Sequence, residues 1–233
     1  IFDLEDAVSP DEKDAARILV RNIMKDMDLR GCETIVRINS IDTDYWKADL
    51  EQIMPRKPGW IMLPKTGCAA DVLTADAEIS RWEERLGMEP NTVRLMPLIQ
   101  TALGVENAFA IASASKRVGA IFLGAEDLTA DLRCKRTKGG AEIDYARSRM
   151  VMAARAAEVD VYDTPFTDVN DDEGIRTDAE YAKSLGFTGK ASISPRHVGV
   201  INELFSPSMK DIKYAYEVMD AIRLAHEQGQ IGR

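Results

Sequence analysis

The 233-residue sequence is long enough for one large domain or two small ones, and its 45% hydrophobic and 30% charged residues are ordinary for a globular protein. Its net charge of −9 argues against nucleic acid or an anionic membrane as the main partner, and no apolar stretch reaches the length of a transmembrane helix. The scattered cysteines and the two histidines favour neither a disulfide framework nor a zinc site, and they fit a reducing cytoplasm: Cys32, Cys68, Cys134, His197 and His226.

Short apolar segments alternate along the chain with segments of helical period, which predicts alternating strands and helices. The predicted strands cover residues 1–4, 33–38, 59–63, 93–99, 120–124, 159–163 and 189–193. The predicted helices cover about 10–27, 44–54, 69–86, 105–115, 143–157, 172–185 and 208–227. Ser9, followed by Pro10 and Glu12, is typical of a helix start with a serine N-cap. The alternation predicts a parallel sheet covered by helices.

Two parallel folds accommodate this order. A doubly wound open sheet accepts seven strands, whereas a (β/α)8 barrel needs one more. Neither GxGxxG nor GxxxxGK[ST] occurs, and the turn after the first strand, Glu5-Asp6-Ala7-Val8, has no glycine. Dinucleotide and P-loop binding therefore lose their main sequence support.

Polar residues follow the predicted strands, where (β/α)8 barrels carry their chemistry. Carboxylates without histidine suit Mg²⁺, and the planar guanidinium of Arg37 suits a substrate carboxylate. The residues alone therefore predict a magnesium-dependent barrel enzyme that acts on small oxo or hydroxy acids. The complete set of strand-end residues is Asp3, Glu5, Asp6, Arg37, Asn39, Lys65, Gln100, Thr101, Glu126, Asp127, Asp163, Thr164, Ser192 and Ser194.

Structural roles are open for the same residues. Arg37 could form an ion pair with Glu5 or Asp6, Asp127 could cap the next helix, and Lys65 could be a solvated loop charge. The basic segment 133–138 is either a solvated loop or a patch for the phosphates of a carrier or coenzyme A. His197 is expected on the surface at a helix start.

Seven blocks, in order and over nearly the whole chain, resemble the citrate lyase β-subunit-like group of the HpcH/HpaI aldolase family. They are IFDLEDAVSPDEKDAAR (1–17), VRIN (36–39), IMLPK (61–65), PLIQTALGVENAFAIA (97–112), FLGAEDLTADL (122–132) and the segments 145–174 and 185–208. The resemblance implies an α/β fold, a (β/α)8 TIM barrel, as a single domain over residues 1–233 with a C-terminal helical extension from about 208. It places Ile1 at the second strand, so the chain is expected to lack the first βα unit and the C-terminal tail that carries a catalytic carboxylate.

The resemblance further implies a Mg²⁺-dependent carbon–carbon lyase or aldolase. Its substrates would be β-hydroxyacyl thioesters of the citryl-, malyl- or citramalyl-CoA type, carried by coenzyme A or an acyl carrier. The products would be an acyl-thioester and a 2-oxo acid. The group also implies a homotrimer or higher homo-oligomer. The composition described above adds the expectation of a cytoplasmic protein with no nucleic-acid or membrane partner.

Site roles carried over by the resemblance begin with Arg37 and Asp127 as catalytic residues, Arg37 holding the oxo-acid carboxylate. Gln100 and Asp127 stand at the metal pair, with Glu5 and Asp6 acting through bound water. The implied substrate-binding set is Arg37, Asn39, Lys65, Gln100, Asp163 and Thr164.

Two departures from the family pattern bear on these roles. The family usually has glutamate at the position of Gln100, and a neutral amide offers the cation one formal charge less. The second departure is the C-terminal segment, which in related lyases supplies a carboxylate, often from a neighbouring subunit, and which this sequence is expected to lack. In addition, SISP (192–195) stands where the group has an IHP-like block. Two alternatives therefore stay open: a catalytically silent homologue that binds a thioester or oxo acid, and an aldolase of free 4-hydroxy-2-oxo acids.

Overall fold

The computed structural model describes residues 1–227, and the predicted parallel α/β architecture is confirmed. Every strand pairs in parallel with the next strand along the chain, so the sheet order is the sequence order. The strands are β1 (Phe2–Asp3), β2 (Ile35–Arg37), β3 (Trp60–Leu63), β4 (Arg94–Ile99), β5 (Ala120–Leu123), β6 (Asp160–Asp163) and β7 (Gly189–Lys190).

Helices connect these strands, and two helices follow the last of them. They are α1 (Lys13–Asp26), α2 (Trp46–Ile53), α3 (Ala69–Arg85), α4 (Ala102–Glu106), α5 (Ala108–Ala112), α6 (Ala125–Asp131), α7 (Asp144–Ala156), α8 (Asp172–Leu185), α9 (Pro195–Phe205) and α10 (Met209–Glu227). The predicted C-terminal extension begins with α10, and its residues 228–233 lie outside the described part. None of the helices within residues 1–227 is both long and apolar enough to span a membrane.

The sheet is strongly curled. Its two edge strands bring Ile1 and Asp3 on one side, and Ala191, Ser192 and Ile193 on the other, to the wall of the same cavity. Within residues 1–227 the sheet has seven strands, and no ladder joins β7 to β1. The fold is therefore a half-barrel, and closure into an eight-stranded barrel stays a prediction.

Alternate residues of the central strands serve two separate apolar clusters, because successive side chains of a strand point to opposite faces. In β3, Ile61 and Leu63 join the main core beneath the helices. Met62, between them, joins the inner cluster enclosed by the curled sheet, together with Met96, Leu98, Ala120 and Phe122. Burial on both faces explains why these strands are continuously apolar.

Several local predictions were wrong. The helix predicted over 105–115 is two short helices that meet at Asn107, whose side chain donates to the Gly67 carbonyl at 2.8 Å. The helix α6 was not predicted, and Asp127 is its third residue rather than its cap. Ser9 makes no side-chain capping bond, and His197 is buried, not on the surface.

A buried ion-pair cluster tests how this fold is stabilised. Arg117 is 1% exposed and contacts Asp76 at 2.6 Å and Glu83 at 2.8 Å. We expect Arg117→Leu to leave the buried Glu83 carboxylate without a cation and to lower the free energy of unfolding by about 3–5 kcal/mol in urea titrations. The matched change Arg81→Leu removes only an exposed pair with Glu78 and should cost about 0–1 kcal/mol. Equal losses for the two variants would contradict this account.

Candidate active site

A cavity of about 340 Å³ opens at the carboxyl ends of the strands. Its volume lies in the range of small-molecule sites. The inner cluster of the sheet supplies an apolar part of the wall through Met62, Leu98 and Phe122. The polar residues of its wall are Asp3, Asp6, Arg37, Gln100, Glu126, Asp127, Thr164 and Ser192.

The structure brings five of the residues predicted for the site together at this cavity: Asp6, Arg37, Gln100, Asp127 and Thr164. Three more line an adjoining cavity, also of about 340 Å³, on the other side of the loop after β1: Glu5, Asn39 and Lys65. Asp6 contributes to both cavities.

Arg37 lies at the centre of a cluster of opposite charges. Its Nε and Nη2 donate to the two oxygens of Asp3 at 2.8 and 2.5 Å, and its Nη1 lies 3.1 Å from Glu5. Lys65 contacts Glu5 at 3.0 Å and Asp6 at 3.4 Å. Arg37 thus forms ion pairs with Glu5 and Asp3, but not with Asp6. A guanidinium has five N–H donors, and the hydrogen bonds to Asp3 use two of them.

The pKa values of the two nearest carboxylates are shifted in opposite directions, although burial acts to raise both. Burial raises the pKa of Glu5 above its ordinary value, and the charges of Lys65 and Arg37 offset this only in part. Burial also acts to raise the pKa of Asp3, but the hydrogen bonds from Arg37 and the Glu5 backbone outweigh it and lower the pKa. Asp3 is therefore a firm anion that holds Arg37, whereas Glu5 accepts a proton more readily.

The side-chain amide of Asn39 forms its hydrogen bonds within the protein. Its Nδ2 donates to the Leu4 carbonyl at 3.0 Å and to Asp49 at 2.7 Å, and its backbone N–H also donates to Asp49. These bonds tie the end of β2 to the end of β1 and to α2. Asn39 is thus placed as a support for the loop that carries Glu5 and Asp6.

Gln100, directly after β4, joins three parts of the site. Its Oε1 accepts from the backbone N–H of Lys65 at 2.8 Å, and its Nε2 donates to Asp127. Thr164 supports Asp127 indirectly, because its hydroxyl accepts from the N–H of Ala125 at 3.2 Å at the start of α6. Asp127 is thus positioned directly by Gln100, which follows β4, and indirectly by Thr164, which follows β6.

The structure does not bring Asp163 to the cavity. Its carboxylate is fully buried and binds Arg147 and Lys190, and both of these cations also bind Asp178. Burial would raise the pKa of Asp178, but the charges of Lys190 and Arg147 outweigh it and lower the pKa. This closed network joins β6 and β7 to α7 and α8, so Asp163 is placed as a structural residue rather than a substrate contact.

The basic segment 133–138 divides into two parts. Arg136 contacts Glu126 at 3.4 Å and Glu142 at 2.8 Å, and Lys138 contacts Asp168 and Asp171. Arg133 and Lys135 are exposed and make no ion pair within residues 1–227. Only this second part is available to a charged ligand.

Sequence reasoning missed the apolar wall and the partners of Asp163. Met62, Leu98 and Phe122 had a signal, because each stands at an alternate position of an apolar strand. Arg147 and Asp178 had none, because a helical pattern does not show which charged side chain turns inward. We found no cue in the sequence that separates them from solvated residues.

Comparison with known proteins supplies a family match and close relatives. A family model described as HpcH/HpaI aldolase/citrate lyase matches residues 1–195. The citrate lyase subunit beta of Escherichia coli K12 is 38% identical over 229 residues, covering 98% of this chain and 76% of that protein. The L-malyl-CoA/beta-methylmalyl-CoA lyase of Cereibacter sphaeroides is 34% identical over 249 residues, covering 98% and 78%.

A solved structure also matches over most of both chains. The protein CitE of Mycobacterium tuberculosis, in complex with magnesium, acetoacetate and coenzyme A, superposes with a TM-score of 0.73 at 30% identity. The match covers 95% of this chain and 77% of that one. The ligands belong to that structure, whereas the likeness of the two folds covers nearly all of the chain described above.

The close contact between Gly124 and Gln100 gives a test of the alignment of Gln100. A Cβ at position 124 would lie 2.6 Å from Cγ of Gln100, so Gly124→Ala must displace the Gln100 side chain. We expect a loss of about 1–3 kcal/mol in the free energy of unfolding, measured by urea denaturation. At Gly139 an added Cβ meets nothing within 4 Å, so Gly139→Ala should change stability by less than about 0.5 kcal/mol. A neutral Gly124→Ala would contradict the contact.

The buried network around Asp163 predicts a stability defect. Asp163→Asn leaves Arg147 and Lys190 to share the single carboxylate of Asp178, and we expect it to lower the free energy of unfolding by about 3–5 kcal/mol. Glu203→Gln, which breaks an exposed pair with Arg176, is the control and should cost about 0–1 kcal/mol. Urea denaturation of both variants measures the difference, and a small loss for Asp163→Asn would refute the structural role.

Proposed function

The chain belongs to the HpcH/HpaI aldolase/citrate lyase family and is a carbon–carbon lyase, and from this premise we propose that it cleaves a β-hydroxyacyl thioester of coenzyme A to an acyl-thioester and a 2-oxo acid. The curated relatives include a citrate lyase subunit and a malyl-CoA lyase, which supports the class of substrate. Assays with the three thioesters distinguish among citryl, malyl and citramalyl groups.

The observation that carries this proposal is the position of Arg37 at the cavity wall. Its guanidinium is held by two hydrogen bonds to Asp3, and the side chain lines the cavity. A fixed planar fork binds a carboxylate in one orientation through two hydrogen bonds. We infer that Arg37 binds the carboxylate of the 2-oxo acid part, and that Met62, Leu98 and Phe122 exclude water beside the reacting carbons.

The donor set of the cavity fits Mg²⁺. Asp127, Asp6 and Glu126 present hard oxygen donors at the cavity wall. Within residues 1–227 no three His, Cys, Asp or Glu side chains come together as a metal cluster, so the protein would supply only one or two of the ligands. Mg²⁺ is often held by only one or two carboxylates, with water and substrate oxygens completing its shell. Asp127 would hold the ion, with Asp6 acting through water. When bound, Mg²⁺ would supply Lewis-acid stabilisation of negative charge on a substrate oxygen.

Cleavage also requires a base for the substrate hydroxyl proton. Asp3 is unsuited, because Arg37 keeps its pKa low. Asp6 and Glu126 have carboxylates at the cavity wall that are about half exposed, so either can reach a ligand. We propose that the base is one of these two residues. The exposed Arg133 and Lys135, just beyond α6, are suited to the phosphates of coenzyme A.

A substrate panel tests the proposal directly. Purified protein with Mg²⁺ is incubated with citryl-CoA, malyl-CoA and citramalyl-CoA, and acyl-CoA and oxo-acid products are quantified by mass spectrometry. We expect cleavage of at least one thioester and none of the corresponding free hydroxy acids. Cleavage of free 4-hydroxy-2-oxo acids alone would replace the thioester proposal, and no cleavage at all would refute it.

A variant of Arg37 tests its role in the same assay. Arg37→Lys keeps the charge but loses the planar fork, so we expect kcat/KM to fall about 10- to 100-fold, the equivalent of roughly 1.5–3 kcal/mol of hydrogen bonding to a charged group. Arg81→Lys, an exposed change on α3, should leave kcat/KM unaltered. An unchanged kcat/KM in Arg37→Lys would rule out carboxylate binding by Arg37.

A further inference from the structure

The Gln100 side chain lies between a backbone donor and a carboxylate acceptor. Its Oε1 faces the Lys65 N–H at 2.8 Å, and its Nε2 faces Oδ2 of Asp127. These partners differ in kind, because a peptide N–H only donates a hydrogen bond and an ionised carboxylate only accepts one. The two ends of the amide are therefore distinguishable by their surroundings.

Rotation of the amide by half a turn would lose both bonds. The NH₂ group would then face the Lys65 N–H, donor against donor, and Oε1 would face the carboxylate of Asp127, acceptor against acceptor. Gln100 is itself buried, so the loss of both bonds carries a desolvation penalty, and the flipped orientation is disfavoured in the cation-free protein. The network therefore determines which end of Gln100 faces Asp127.

Packing removes the other freedom of this side chain. Gln100 is 3% exposed, and its Cγ and Cδ fit into the space left by the missing Cβ of Gly124. Lys65, whose backbone N–H donates this bond, has a left-handed φ of 53°, so its N–H is set by a tight turn directly after Pro64. Another arrangement of Gln100 would therefore break its bond to the Lys65 N–H, because the backbone at Lys65 and at Gly124 cannot move with the side chain without wider rearrangement.

We propose, building on the magnesium-dependent function above, that Gln100 is a hydrogen-bond donor to Asp127 and not a ligand of the ion. Its oxygen is taken by the Lys65 N–H, and its NH₂ group occupies one oxygen of the carboxylate that would anchor Mg²⁺. Mg²⁺ alone therefore binds weakly to this chain, and the substrate must supply a larger share of the ligand oxygens.

A carboxylate at position 100 would reverse this arrangement. One oxygen of a glutamate would accept from the Lys65 N–H as Oε1 does now, and the second would face the ion position beside Asp127. Gln100→Glu thus keeps the bond that anchors the side chain and replaces the donor by a charged ligand. Without a cation, its two neighbouring carboxylates would repel each other.

Isothermal titration calorimetry of the full chain with MgCl₂ alone, after chelator treatment, tests the proposal. We expect Gln100→Glu to bind Mg²⁺ at least fivefold more tightly than the unmodified chain, and its thermal midpoint to rise more on adding Mg²⁺. Ser192→Asp is the matched control, because it adds a carboxylate to the wall of the same cavity from the segment after β7 instead of from the end of β4. A gain below fivefold, or one that Ser192→Asp equals, would overturn the proposal.

Gln100→Met gives a second measurement if the glutamate variant does not fold. Its thioether is a poor ligand for Mg²⁺, so its Mg²⁺ affinity should stay within fivefold of that of the unmodified chain. A larger loss would show that the Gln100 oxygen binds the ion and would overturn the proposal. Both titrations are independent of turnover, so failure in the thioester panel and failure of this assignment are separate results.

Discussion

Burial of both faces of the parallel sheet is the constraint on which the site depends. Helices cover one face of the strands, and the curl of the sheet encloses the other, so the middle of each central strand is restricted to apolar side chains. Polar groups are then tolerated only where the strands end, and the parallel order places all of these ends at one rim. Charged side chains are therefore concentrated at the cavity, because the cavity lies at this rim.

Ion pairs at the rim give chemically similar side chains different roles. Arg37 and Lys65 lie between the carboxylates at the end of β1. Burial raises the pKa of Glu5, whereas hydrogen bonds from Arg37 and the Glu5 backbone outweigh burial and lower the pKa of Asp3. The network of Asp163, Arg147, Asp178 and Lys190 has no access to solvent and fixes the edge strand β7 to the neighbouring helices. Because β7 carries one wall of the cavity, this distant network helps to shape the site.

The Gln100 amide connects the two halves of the rim. It links the turn after β3 to α6, which follows β5, and it does so through one donor and one acceptor whose order cannot be exchanged. A single substitution of an acid by its amide therefore alters more than charge, because it also determines which atom faces Asp127.

The sequence by itself determined the alternation of strands and helices, the parallel sheet and the family, because apolar period and ordered motifs are local properties of the chain. It also indicated that Arg37, Gln100, Asp127 and Thr164 share a rim. Only the tertiary structure decided that Asn39 and Asp163 are used within the protein, that His197 is buried, and that Asp127 is not a helix cap. The reason is physical: the role of a polar side chain depends on partners from other elements, such as Arg147 and Lys190 for Asp163, and no periodicity records which of them meet.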